Sequence, residues 1–111
     1  MAASNYAMIL VELQRFEDAK ALMCKTIPVA RRVFGKDHRL TLKMRWGYAQ
    51  SLYKDTGATL DDLRAAVTTL EEIEPIARRV LGGTHPFLVN IERHLRCARA
   101  TLRAREAQPG S

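Results

Sequence analysis

Cysteine is scarce in this chain. Two in 111 residues cannot build a disulfide framework, so a reduced, cytoplasmic setting is the expectation. Long apolar runs are missing too. The longest, Tyr6 to Val11, falls far short of the ~20 residues needed to span a bilayer. No basic segment leads into a longer apolar stretch at the N-terminus, so no signal peptide is visible. Six Gly and four Pro show no collagen-like period. These absences exclude membrane-spanning, disulfide-scaffold and collagen-like classes.

What remains is an ordinary globular balance, 47% hydrophobic and 27% charged, of a length that fits one domain. Lys and Arg outnumber Asp and Glu by 18 to 12, a net charge of +6. Such an excess is compatible with nucleic acid, an acidic partner, or a solvated surface.

An internal repeat organises the chain. Pro28-Val-Ala-Arg-Arg-Val-Phe-Gly-Lys-Asp-His38 matches Pro75-Ile-Ala-Arg-Arg-Val-Leu-Gly-Gly-Thr-His85 at an offset of 47 residues, with seven of eleven positions identical. A period of 20–50 residues is the signature of stacked supersecondary units.

Apolar residues at helical spacing predict five helices. They cover about Ser4–Leu13, Phe16–Phe34, a stretch capped by Asp37 and ending near Lys54, Leu60–Leu81, and Pro86–Arg105. Gly35 stands where a left-handed cap is wanted, and Arg31 and Arg32 suit the last-turn dipole. Residues 55–59 read as a connector, Gly82-Gly83 ends the fourth helix, and Thr84 is the expected cap before Pro86. No alternating strand pattern competes. The expected architecture is all-α, antiparallel helical hairpins in a right-handed stack. Its units are about 4–37 and 38–84, with a closing helix 86–105, all in one domain over 1–105; a flexible tail covers 106–111. Pro28 and Pro75 occupy the same repeat position inside long helical patterns. They read either as a built-in bend or as the first position of a new short helix.

Arg15-Phe-Glu-Asp-Ala19, an Ala/Leu-rich helix and Ala30-Arg-Arg-Val-Phe-Gly-Lys-Asp-His38 together resemble the tetratricopeptide repeat of the kinesin light chain type. Asn5-Tyr-Ala7 stands for that family's first-helix motif, and Gly82-Gly-Thr-His-Pro86 for the close. The resemblance covers roughly residues 4–98 and implies an α-solenoid that binds a protein segment in a concave groove, as an adaptor or scaffold. Three departures stand out. The period is 47 rather than about 34 residues, with the extra length near Asp55–Asp62. Gln14 stands where the family has Gly, and the family's peptide-gripping Asn is kept only at Asn5, with Gly47 and His94 at the matching positions. The chain reads as starting inside a first helix, as in the end of a longer array or a short paralogue.

Candidates for chemistry are thin. Cys24, Cys97, His38, His85 and His94 lack metal-ligand spacing. The histidines read as packing or helix-start residues, and the cysteines as small apolar helix residues. No nucleophile–base set, phosphate loop or dinucleotide fingerprint is readable, so neither enzymatic activity nor a metal or cofactor is expected.

Two surfaces carry the functional expectation. On the third helix Lys43, Trp46, Gln50, Tyr53 and Lys54 share one side. Repeat alignment adds Asn90, Arg93 and His94, and Asn5 supplies the first helix. Trp46, the only tryptophan, reads either as an anchor for a partner segment or as a residue packed between helices. The second surface is a basic flank on the fifth helix, where Arg96, Arg99 and Arg103 run beside the apolar stripe together with Arg93. It suits an acidic partner or phosphates, or is a solvated face without aromatic stacking platforms. The charge excess is split: residues 1–57 carry +5, residues 58–89 carry −2 and residues 90–111 carry +3. Self-association through the acidic fourth helix is therefore a further expectation.

Overall fold

A computed structural model describes residues 8–108, and every regular element among them is an α-helix. Residues 8–12 form α1, followed by α2 (Phe16–Phe34), α3 (Arg39–Tyr53), α4 (Leu60–Leu81) and α5 (Pro86–Glu106). Three of the long helices match the expected bounds within a residue, and α3 starts two residues after Asp37. Glu106, placed in the tail by the sequence, is the last residue of α5.

The ends of the helices explain the repeat. Gly35 and Gly82 follow α2 and α4 at φ +93° and +94° with ψ near 159° and 158°. That region is open essentially to glycine alone, and it differs from the left-handed helical cap expected. The next helix in each unit is capped by histidine. His38 Nδ1 accepts from Leu40 N–H, and His85 Nδ1 accepts from Phe87 N–H, both at 3.1 Å. This corrects the expectation of Asp37 and Thr84 as caps. Asp37 is drawn away because its Oδ2 accepts from Arg79 at 2.9 Å. In the second unit Pro86 takes the first helical position directly after His85. At the start of α4, Thr59 and Asp62 form a reciprocal capping box, each side chain accepting from the other's backbone N–H at 3.1 Å.

Both interior prolines lie within unbroken helices, so the reading of a new short helix at Pro28 or Pro75 is corrected. The α1–α2 turn depends on Gln14, a non-glycine residue at φ +61°. Arg15 N–H bonds to Leu10 O and Gln14 N–H to Val11 O, a Schellman pattern that satisfies two terminal carbonyls of α1.

Consecutive helices pack in order. α3 lies against α2 and α4, and α4 lies against α5. α3 also touches α5, whereas α2 and α4 do not touch. The odd-numbered helices therefore form an inner row and the even-numbered ones an outer row, as in a solenoid. The main core joins α3, α4 and α5 around Leu42, Leu70, Ile73, Leu88 and Ile91. The first hairpin has two smaller clusters, one of Met23, Ala30 and Met44 and one of Leu10, Val11 and Ala19. Gly47 lets α3 come close, since a Cβ there would sit 2.4 Å from Met23 Cε and 3.0 Å from Met8 Sδ.

Charge also ties the helices together. Arg45 pairs with Glu72 (3.0 Å), Arg99 with Glu71 (2.7 Å), and Arg78 with both Glu74 and Glu92 (2.5 and 2.8 Å). Glu71, Glu72 and Glu74 of α4 thus have arginine partners on α3, α4 and α5 within the chain, while Asp62 serves the capping box. Each exposed pair contributes at most about 1 kcal/mol.

Candidate functional site

The inner row encloses a groove of about 580 Å³. Met8, Val11 and Glu12 of α1 form one wall, with Gln14 and Phe16 beside them. Trp46, Gln50 and Lys54 of α3 form the floor, and Arg93 and His94 of α5 the other wall. The spacings of three and four between Trp46, Gln50 and Lys54 put them on one side of α3, and Arg93 and His94 follow one helix-pair later. A second hollow of about 380 Å³ adjoins it, lined by Arg39, Leu40, Lys43, Trp46, His85, Pro86, Phe87 and Asn90. Trp46 borders both.

The structure thus brings together eight of the nine groove residues read from the sequence, though in three settings. Trp46, Gln50, Lys54, Arg93 and His94 line the larger groove, while Lys43 and Asn90 line the smaller hollow with Trp46. Tyr53 is half-buried and lines neither; its hydroxyl hydrogen-bonds His94 Nδ1. Asn5 lies outside the described residues. Trp46 is packed between helices, its ring edge-on against Phe87 and His94 with centroids 5.3 and 5.4 Å apart, and it also borders the groove. Gly47 serves helix packing instead of the groove.

Two donors beneath the groove floor have no partner among the described residues. Gln50 is only 3% exposed, and neither its Nε2 nor Trp46 Nε1 makes a hydrogen bond among them. A buried donor left unmet costs about 1–3 kcal/mol. Both nitrogens are sealed from solvent beneath the groove surface. Lys54 and Arg93 form no ion pair among the described residues. Burial, then the nearby Lys54 and Arg93 cations, hold the His94 pKa down at about 4. The ring is therefore neutral at pH 7 and shares a hydrogen bond with Tyr53, whose own pKa is raised chiefly by burial.

The basic flank divides. Arg93 belongs to the groove, Arg99 is paired with Glu71, and Arg96 lies with Glu74 and Glu92 between α4 and α5. Arg103 is exposed near the end of α5. A wider hollow of about 770 Å³ near the α3–α4 connector is lined by Arg64 and Arg105, but Arg64 is already engaged by Asp61 and Glu106. Cys24 on α2 and Cys97 on α5 are both exposed free thiols.

Residues 1–40 match the family model of the tetratricopeptide repeat. The match spans the first helical hairpin and the loop beyond it. No curated protein matches the chain at a significant level, and no solved structure does. With its hairpins stacked in order, the chain is an all-α, tetratricopeptide-like helical repeat, a fold that suggests a protein–protein interaction module. Among the described residues no helix is long and apolar enough to cross a membrane.

The sequence reading missed Met8, Val11, Glu12, Gln14 and Phe16 as groove walls. They lie on α1 and its turn, and nothing local shows that α1 faces α5 across α3. Gln14 alone carried a signal, as the one turn residue replacing the family's Gly.

Proposed function

We propose that this chain is an adaptor or scaffold module of kinesin light chain-like tetratricopeptide type, holding an extended, acidic partner segment in the groove between α1, α3 and α5. One observation carries the reading: the groove that Trp46 and Gln50 floor is flanked by the exposed cations Lys54 and Arg93, which have no ion pair among the described residues. Carboxylates of an extended segment fit the cations, and Trp46 and Phe16 in the groove lining fit its apolar side chains. The motifs Arg15–Ala19 and Ala30–His38 support the family type. The function is binding, with no covalent step.

Trp46 is the only tryptophan, so its emission reports on the groove directly. Titration with extended acidic peptides is expected to shift that emission. In Lys54→Glu with Arg93→Glu the response should vanish while circular dichroism stays unchanged, since both residues are exposed. An unaltered response in that double variant overturns the groove assignment. Trp46→Ala is a poorer test, because it also removes packing against Phe87 and His94. Tight binding to RNA that falls steeply with salt and needs Arg96 and Arg103 would favour a nucleic-acid reading instead.

A further inference from the structure

The smaller hollow beside the groove differs from its neighbours in charge. The groove has Glu12 in its lining, the hollow near the α3–α4 connector has Asp61, and the one between α4 and α5 has Glu74 and Glu92. Arg64 and Arg99, in the latter two, have carboxylate partners. The smaller hollow, about 380 Å³, is lined by no acid. Its charged residues are Arg39 and Lys43, one turn apart on α3. Both are exposed and without an ion pair among the described residues.

The neutral polar groups of this hollow donate as well. His85 Nδ1 accepts from the Phe87 N–H, so the ring proton lies on Nε2, which is left as a donor. Half-buried Asn90 adds a side-chain amide. The remaining wall is apolar: Leu40 and Trp46 of α3 are half-buried, and Phe87 of α5 is buried. Two cations and two further N–H donors, with no carboxylate among them, match an anion of charge near −2 with several acceptor oxygens. A phosphomonoester has both, whereas a single carboxylate has about half the charge. The apolar wall suits a carbon-bearing carrier of that phosphate.

What carries the phosphate follows from continuity, since Trp46 borders both the hollow and the groove. We infer that the hollow receives a phosphorylated side chain of the same partner segment that lies in the groove, so that phosphorylation of the partner strengthens its binding. The inference rests on the groove reading for the carrier, while Arg39 and Lys43 belong to the hollow alone. The geometry also sets a spacing. Lys54 at the end of α3 follows Lys43 by eleven residues, about 16 Å along the helix axis. An extended segment covers that distance in about five residues. The phosphorylated residue therefore stands about five positions from the acidic residue at Lys54 and Arg93.

The test is isothermal titration calorimetry of the full chain with extended peptides. Each carries an acidic pair and, roughly three to seven residues to either side, a serine or a phosphoserine. At the best spacing the phosphoserine peptide should bind wild type about tenfold more tightly than its serine counterpart, as a few new charge-assisted hydrogen bonds imply. Arg39→Glu with Lys43→Glu should abolish that gain and leave the serine peptide's affinity unaltered, with circular dichroism unchanged because both side chains are exposed. Lys54→Glu with Arg93→Glu should weaken both peptides and keep their ratio. If the serine peptide does not bind wild type while the phosphoserine peptide binds through Arg39 and Lys43, the groove reading fails and the phosphate site stands. Equal affinities of the two peptides for wild type overturn the inference, as does a gain that survives in the Arg39 and Lys43 double variant. So does a glutamate peptide that matches the phosphoserine one, or tighter binding of inorganic phosphate or phosphoinositide vesicles through the same two residues.

Discussion

The two hairpin units carry one motif in two environments. Pro28–His38 and Pro75–His85 form the same structure: a helix running through its proline, a glycine at φ near +93°, and a histidine capping the next helix. Their surroundings diverge. The second unit is buried in the main core and its Arg78 and Arg79 are paired; the first has a small Met/Ala core, and Arg31 and Arg32 have no ion pair among the described residues. Local structure thus follows the motif, whereas the energetic weight of each position follows what packs on it.

Aligned substitutions sharpen that contrast. Leu70 and Met23 occupy the same repeat position, and both are fully buried. Leu70→Ala should cost about 3 kcal/mol by chemical denaturation, within the usual range for such core cavities. Met23→Ala should cost less, about 2 kcal/mol, because its methionine neighbours can refill the space. Equal costs would show that the two cores are equally rigid.

The next effect belongs to α5 alone. His94 has its pKa lowered to about 4, against an unfolded value near 6.5, so the unfolded chain binds the extra proton first as pH falls. The stability contributed by the neutral ring is complete above pH 6.5 and is lost progressively down to about pH 4, by about 2–3 kcal/mol in all. Melting curves of wild type and His94→Gln should converge in stability across that window. A constant difference between them would place the ring in water.

Smaller effects are expected at the turns. Gly35→Ala and Gly82→Ala should each destabilise by about 1–2 kcal/mol, because the backbone there suits only glycine. Gln14→Gly should stabilise by about 1 kcal/mol by relieving the positive φ at the α1–α2 turn. Opposite signs at these turns, read by thermal melting, check the assignment. The smallest contrast is between the arginines. Arg79→Ala should cost up to about 1 kcal/mol and Arg32→Ala essentially nothing, because only Arg79 has a carboxylate partner.

Much of this was legible in the chain. Helix spans came from the spacing of apolar residues, because each helix buries one stripe whatever it packs against. The caps were misplaced by one residue at Asp37 and Thr84, since a helix start there is chosen by competition. Arg79, 42 residues away, takes the Asp37 carboxylate, and histidine fills the vacancy. Trp46, Gln50, Lys54, Arg93 and His94 were readable as one face by periodicity and repeat alignment. Tyr53 shared that periodicity yet sits behind His94, because one residue of helical rotation separates a groove wall from its backing.

Propensity, periodicity and the 47-residue repeat dictate the all-α hairpin order, the glycine turns and the inner-face candidates, because these depend on neighbours within a few residues. Only the packed structure decides that α1 completes the groove, and that Glu71, Glu72 and Glu74 find arginines within the chain. It also decides that Arg78 and Arg79 are ion-paired while Arg31 and Arg32 are not, among the described residues. Those outcomes depend on which side chains the stacking of separate helices brings within a few ångströms, and identical local sequences meet different neighbours.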